Sequence, residues 1–188
     1  MTGKRLFDVI FAAGLAAVLF IPMLLIGLMV RLGSRGPVLY VSERMGRDNR
    51  SFKMYKFRTM RTNAPVVATH LLARAEQYLA PGGRFLRKTS LDELPQLINI
   101  IKGEMSFVGP RPALFNQFDL MELRTARGIH RLTPGLTGLA QVNGRDELPI
   151  PEKVEYDRVY LEKRSFGLDL KILLLTLKKV ITKEGVSH

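Results

Sequence analysis

A chain of 188 residues fits one domain with one core, and a second independent domain would be cramped. The absence of cysteine excludes a disulfide framework, a thiolate metal site and a cysteine nucleophile, and three scattered histidines do not make a zinc site, so any metal would be held by carboxylates. The formal charge of +12 predicts attraction to polyanions, be they nucleic acid, anionic headgroups or phosphorylated substrates, and charge alone does not choose among them.

From Val9 to Val30 no residue is charged. A run of about 22 residues is long enough to cross a hydrocarbon core of roughly 30 Å as one helix. Lys4 and Arg5 precede it, as in a signal peptide, but the run continues past the small residues Ala12, Ala13, Ala16 and Ala17 and exceeds the usual apolar region of such a peptide. Arg31 and Arg35 follow it, so basic residues at both ends favour the cytoplasmic side for both. Pro22 removes a helix hydrogen bond and predicts a kink or break. A re-entrant hairpin and a kinked spanning helix both satisfy these features.

After Gly36-Pro37, Val38 to Ser42, a turn at Gly46 to Asn49, and Ser51 to Thr59 read as a β-hairpin. Alternation puts Lys56 and Arg58 on one face and Tyr55 and Phe57 on the other. That is either a basic substrate-facing surface over an aromatic core face or a solvated strand face. Ala64 to Ala80 reads as a helix ending at Pro81-Gly82-Gly83, followed by the basic segment Arg84 to Lys88.

The segment Ser90-Leu91-Asp92-Glu93-Leu94-Pro95 predicts a helix start near Asp92, because Pro95 is tolerated only in a first turn, and Ser90 with Glu93 fits a capping box. Asp92 and Glu93 then sit at a helix N-terminus, where carboxylates stay ionised and phosphates bind. Simple caps would look the same. Gly109-Pro110-Arg111-Pro112 rigidly presents an arginine able to clamp a phosphate. Thr133 to Arg145 combines glycines with Gln141, Asn143 and Arg145, a composition for a loop gripping a nucleotide or for a plain connector, and it is neither a Walker A loop nor a Rossmann fingerprint. From Phe166 to Ile181, Leu170, Leu173, Leu174, Leu177 and Ile181 share one helical side, interrupted by Lys171, Lys178 and Lys179. Such a helix lies in a membrane interface or packs on the core.

Taken together, Tyr55-Lys56-Phe57-Arg58-Thr59-Met60, Ser90 to Leu97, Met105 to Pro112 and Pro134 to Arg145, in that order behind an apolar segment, resemble the monotopic phosphoglycosyl transferases, or bacterial sugar transferases. The length is similar to that of the small members with only the catalytic domain. The resemblance implies an α+β protein with an N-terminal re-entrant membrane helix, a β-hairpin and amphipathic interfacial helices. Residues 1–36 would form the membrane segment and 37–188 the catalytic domain, facing the cytoplasm from the bacterial inner membrane. It also implies a Mg2+-dependent transfer of a sugar phosphate from a UDP-sugar to polyprenyl phosphate, with membrane lipids as surroundings and no nucleic-acid partner expected. Asp92 matches the nucleophile, and Glu93 the residue assisting metal binding or acceptor deprotonation; the two would hold the metal. Lys56, Arg87 and Arg111 are the phosphate-binding candidates. Gln141, Asn143, Gly144 and Arg145 match the nucleotide-side motif, and Asp157 matches an acidic position. The family's membrane break often reads Ser-Pro, and here Ile21 precedes Pro22, so the break rests on the proline.

Two other classes fit the residues. A membrane-tethered nucleic-acid binder would account for the charge, and a metal-dependent hydrolase of nucleotide sugars would use the same carboxylates without a covalent intermediate. The motifs speak to phosphate, metal and nucleotide, and carry no signature of the sugar.

Overall fold

The structure is a computed structural model and describes residues 2–64, 75–144 and 148–182. Helices α1 (Thr2–Val18) and α2 (Phe20–Gly33) meet at Leu19 with a bend of 64°. Pro22 lies in the first turn of α2 and has no N–H for the carbonyl of Val18, which its ring also crowds, so α1 ends there. Helical bonding continues on both sides, from Leu19 N to Leu15 O and from Met23 N to Leu19 O, each 2.8 Å. Among the described residues no single helix is long and apolar enough to cross a membrane, and the bent pair meets that test only together.

The inner side of α1 is docked on the rest of the chain. Ala12 is fully buried in the main core, Phe7 meets Phe166 edge to face at 5.3 Å, and Phe11 lies 5.1 Å from Phe107. Lys4 and Arg5, which the sequence presents as flanking charges, have protein partners. The Lys4 ammonium is 2.5 Å from Asp169, and the Arg5 guanidinium donates to the carbonyls of Ile100 and Ile101. Buried Asp8 accepts from the N–H of Phe107 at 3.3 Å.

The hairpin forms as expected from its turn. Strands β1 (Leu39–Met45) and β2 (Ser51–Phe57) pair antiparallel from Leu39 opposite Phe57 to Met45 opposite Ser51. Asp48 and Asn49 take positive φ between them, a region their short polar side chains tolerate. The first strand runs past Ser42 because the pairing holds through Glu43 and Arg44. The face assignment needs correction: Phe57 is in the core, but Tyr55 is half-buried with its ring 5.0 Å from the Lys102 ammonium. Arg58 has left the strand and is buried, donating to the carbonyls of Ser34 and Arg35 at 2.8 and 2.6 Å, so it closes the end of α2 instead of facing substrate.

Then follow α3 (Gly83–Lys88), α4 (Gln96–Lys102), β3 (Ser106–Val108), β4 (Ala113–Leu114), α5 (Phe118–Ala126), β5 (Gly135–Thr137), α6 (Leu139–Asn143), α7 (Ile150–Lys163) and α8 (Phe166–Thr182). The sheet order is β2-β1-β4, and β3 pairs separately and in parallel with β5. The mixture of helices with small sheets is an α+β fold. The helix expected over Ala64 to Ala80 falls largely outside the described residues; at its described end Ala75–Tyr78 is a 3₁₀ turn and Leu79 bridges to Met60.

Two apolar clusters organise the described residues. The main one gathers Met54, Leu97, Ile100, Phe107, Val108, Leu120, Val154 and Ile172 from most elements. A smaller one joins Val30, Phe57 and Leu86. Helix α8 buries Ile172 and Asp169 and packs Leu168 and Leu173 inward, while Leu170, Leu174, Leu177 and Ile181 stay exposed. The outward sides of α1 and α2 are equally apolar, with Ile10, Val18, Phe20, Ile21, Leu25 and Leu32 exposed.

Candidate active site

The acidic dyad sits on a 3₁₀ turn, Leu91–Glu93, that spans the two clusters. Leu91 and Leu94 pack on the small cluster, while Leu97 and Ile100 enter the main one. The helix expected to start near Asp92 starts at Gln96, and the capping box does not form. Ser90 is at φ +55 with no cap bond, whereas an N-cap needs extended backbone, and the Glu93 side chain is turned to cations instead.

Glu93 Oε1 lies 2.7 Å from Lys56 Nζ on β2 and 3.6 Å from Arg111 Nη2. Asp92 beside it is 8% exposed. Burial pushes its carboxyl up to about 6; Lys56 opposes this, Glu93 reinforces it, and Arg87 on α3 opposes it. Asp92 is therefore more basic than an ordinary carboxylate. The structure thus brings together Asp92, Glu93, Lys56, Arg87 and Arg111: one buried carboxylate, one paired carboxylate and three cations. Such a group can attack or hold a phosphoryl group while spreading its charge.

Asn99, which the sequence did not single out, fixes Lys56 in place. Its Oδ1 accepts from Tyr55 N at 3.1 Å and its Nδ2 donates to Lys53 O at 2.7 Å, so the side chain stands in for a missing strand along the edge of β2. The strand carrying Lys56 is thereby tied to the helix that follows the dyad.

Arg111 leaves β3 through Gly109-Pro110, and the glycines around it serve close packing. A Cβ on Gly135 would stand 2.1 Å from Gly109 N, and one on Gly138 would stand 2.1 Å from Gly109 O. Gly135 and Gly138 therefore let two backbones cross, which replaces the reading of backbone exposed to a ligand at these two positions. Asp157 is tied to Arg124. It is buried on α7 and accepts from Arg124 Nε and Nη2 at 2.9 and 2.6 Å, while Arg124 Nη1 donates to the Arg111 carbonyl at 2.8 Å. Burial pushes the Asp157 carboxyl up, and Arg124 pulls it back. Arg124 was missed, though its spacing four residues after Leu120 on one face of α5 was a signal: a charge in an apolar stripe implies a buried partner.

Of the residues that the resemblance assigns to the nucleotide, Gln141 is buried with both carboxamide atoms lacking a partner among the described residues, and Asn143 is exposed and donates to Leu139 O. Gly144 ends α6, and Arg145 lies outside the described residues. For a divalent ion, no cluster of three or more potential ligands occurs among the described residues. The adjacent Asp92 and Glu93 nevertheless fit Mg2+, which typically takes one or two carboxylates and completes its shell with water and substrate phosphates.

Comparison with known proteins shows the family. The model of a family described as bacterial sugar transferase matches residues 1–183. An uncharacterized sugar transferase, EpsL, of Bacillus subtilis is 43% identical over 98% of this chain and 90% of its own length. A UDP-glucose:undecaprenyl-phosphate glucose-1-phosphate transferase of Klebsiella pneumoniae is 40% identical over 95% of this chain, and an undecaprenyl-phosphate glucose phosphotransferase of Komagataeibacter xylinus is 40% identical over 96%. The chain spans only 40% and 36% of those two longer proteins. Over residues 1–183 the chain belongs to the bacterial sugar transferase family, and it is an enzyme.

Proposed function

We propose that this enzyme moves a sugar 1-phosphate from a UDP-sugar to undecaprenyl phosphate in two steps at a membrane surface. An Asp92 oxygen attacks the β-phosphorus of the donor, the bond from that phosphorus to the bridging oxygen breaks, and UMP leaves. A phosphate oxygen of the lipid then attacks the same phosphorus, the acyl phosphate bond breaks, and Asp92 is regained with undecaprenyl-diphosphate-sugar as product. The observation that carries this reading is the buried Asp92 with Lys56 and Arg87 beside it, next to a Glu93 that pairs with Lys56 and Arg111. Glu93, held by Lys56, assists metal binding or takes the acceptor proton, and Asp92 and Glu93 together would hold Mg2+. That ion would supply positive charge to the diphosphate. Gln141, Asn143, Gly144 and Arg145 are assigned to the nucleotide.

The bent pair α1–α2 enters the bilayer and returns, both ends cytoplasmic, and the exposed leucines of α8 rest in the interface of the bacterial inner membrane. The exposed apolar sides of these helices and the basic residues at both ends of the pair support that placement.

The test is UMP release from a panel of UDP-sugars in lipid nanodiscs with Mg2+, with and without undecaprenyl phosphate. Acceptor-dependent release, lost in Asp92→Asn, is expected. Continuous release without acceptor would make the protein a hydrolase, and no release from any donor would overturn the reading. For the topology, cysteines introduced near Thr2 and Gly36 should both label from the cytoplasmic side; labelling from opposite sides would refute the re-entrant arrangement.

A further inference from the structure

We infer that the buried pair Arg124–Asp157 is a positioning device that sets Arg111 against Glu93. The inference rests on the transfer reaction proposed above. The three described contacts of the Arg124 guanidinium use separate N–H groups: Nε and Nη2 on Asp157, and Nη1 on the carbonyl of Arg111 itself. Asp157 is 1% exposed and fixes the plane of the guanidinium, so the hook on Arg111 has a set direction. A second pin comes from the same helix one turn on. Tyr160, buried on α7, donates its hydroxyl to Asp169 at 2.6 Å, and its oxygen lies 3.2 Å from the carbonyl oxygen of Val108. Between these pins Gly109 N bonds Thr137 O and Pro110 O accepts from Gly135 N, both at 2.9 Å.

The loop is thus held at four consecutive residues, Val108 to Arg111. Only one of these contacts acts on the residue whose side chain reaches the dyad, and it is the one made by Arg124. An arginine is required there, because a lysine can keep the charge opposite Asp157 but has no planar fork to hold two partners in fixed directions. Among the described residues Arg124 bonds Asp157 and the Arg111 carbonyl, and the pair acts through Arg111.

The experiment is a double-mutant cycle on UMP release in nanodiscs with Mg2+ and undecaprenyl phosphate. Arg124→Lys keeps the ion pair with Asp157 and should lower kcat by about tenfold to a hundredfold, the effect of losing one charge-assisted hydrogen bond at a reacting group's support. In an Arg111→Ala background the same change should cost nothing further. A second variant, Arg124→Met with Asp157→Leu, replaces the buried pair by apolar groups and keeps the test independent of folding: it should unfold no earlier than wild type while showing the same kcat loss. Full activity of Arg124→Lys, or an equal loss with and without the Arg111 side chain, would overturn the positioning role while leaving the transferase reading intact. Inactive wild type would overturn that reading first, and this inference with it.

Discussion

Replacing Asp92 by asparagine should abolish transfer and at the same time stabilise the fold. The carboxyl is raised from 3.8 to about 6, chiefly by burial, so the folded state prefers its neutral form. About two units at roughly 1.4 kcal/mol each make the charge cost the folded protein about 3 kcal/mol. The sign follows from the window. Below pH 3.8 Asp92 is protonated in both states and the penalty is absent; it grows as pH rises from there to about 6 and is complete above. Asparagine resembles the protonated acid at every pH. The variant should therefore match wild type near pH 4 and exceed it by about 3 kcal/mol at pH 7.5, or roughly 6–12 °C in Tm for a chain of this size. Thermal unfolding of both proteins by circular dichroism in nanodiscs, with chelator present, from pH 4 to pH 8, is the assay. A difference independent of pH, or a wild type more stable at pH 7.5, would refute the reasoning. Added Mg2+ should narrow the gap by stabilising wild type alone.

Lys56→Met removes a charge that pulls Asp92 down, so the acid limb of the pH–rate profile should move to higher pH; an unmoved or lower limb contradicts the arrangement. Asn99→Ala strips the edge of β2 of its side-chain partner and should cost about 2–4 kcal/mol, read from Tm. Gly138→Ala forces a methyl group to within 2.1 Å of Gly109 O and should cost at least ~3 kcal/mol, whereas Gly14→Ala, with nothing within 4 Å, should gain up to about 1 kcal/mol. Leu174→Asp with Leu177→Asp places charges on the exposed side of α8 and should weaken flotation with liposomes while leaving the Tm in detergent unchanged.

Features encoded within a few residues were legible in the sequence: the hairpin from its Gly/Asp/Asn turn, and the interruption of the apolar run from Pro22. What failed depended on distant partners. The Ser90–Glu93 capping box is a sound local reading, but Lys56 and Arg111 lie elsewhere in the chain and draw Glu93 away. Glycines 135 and 138 suggested an open loop because nothing in their own segment says that Gly109 will cross them. The place of Arg124 one turn after Leu120 implies a buried partner, but nothing near it in the chain says that the partner is Asp157, 33 residues on. Arg58 counts as a basic strand residue only until the chain turns and its guanidinium meets the end of α2.

The docking of α1 bears on how this protein can be handled and degraded. Trimming residues 1–36 would do more than cut a tether. It would leave Asp169 without the Lys4 ammonium, the N–H of Phe107 without Asp8, the last carbonyls of α4 without Arg5, and a hole where Ala12 sat. A soluble, active fragment is not to be expected from such a cut, and a protease that removed this segment in the cell would destroy the enzyme instead of releasing it.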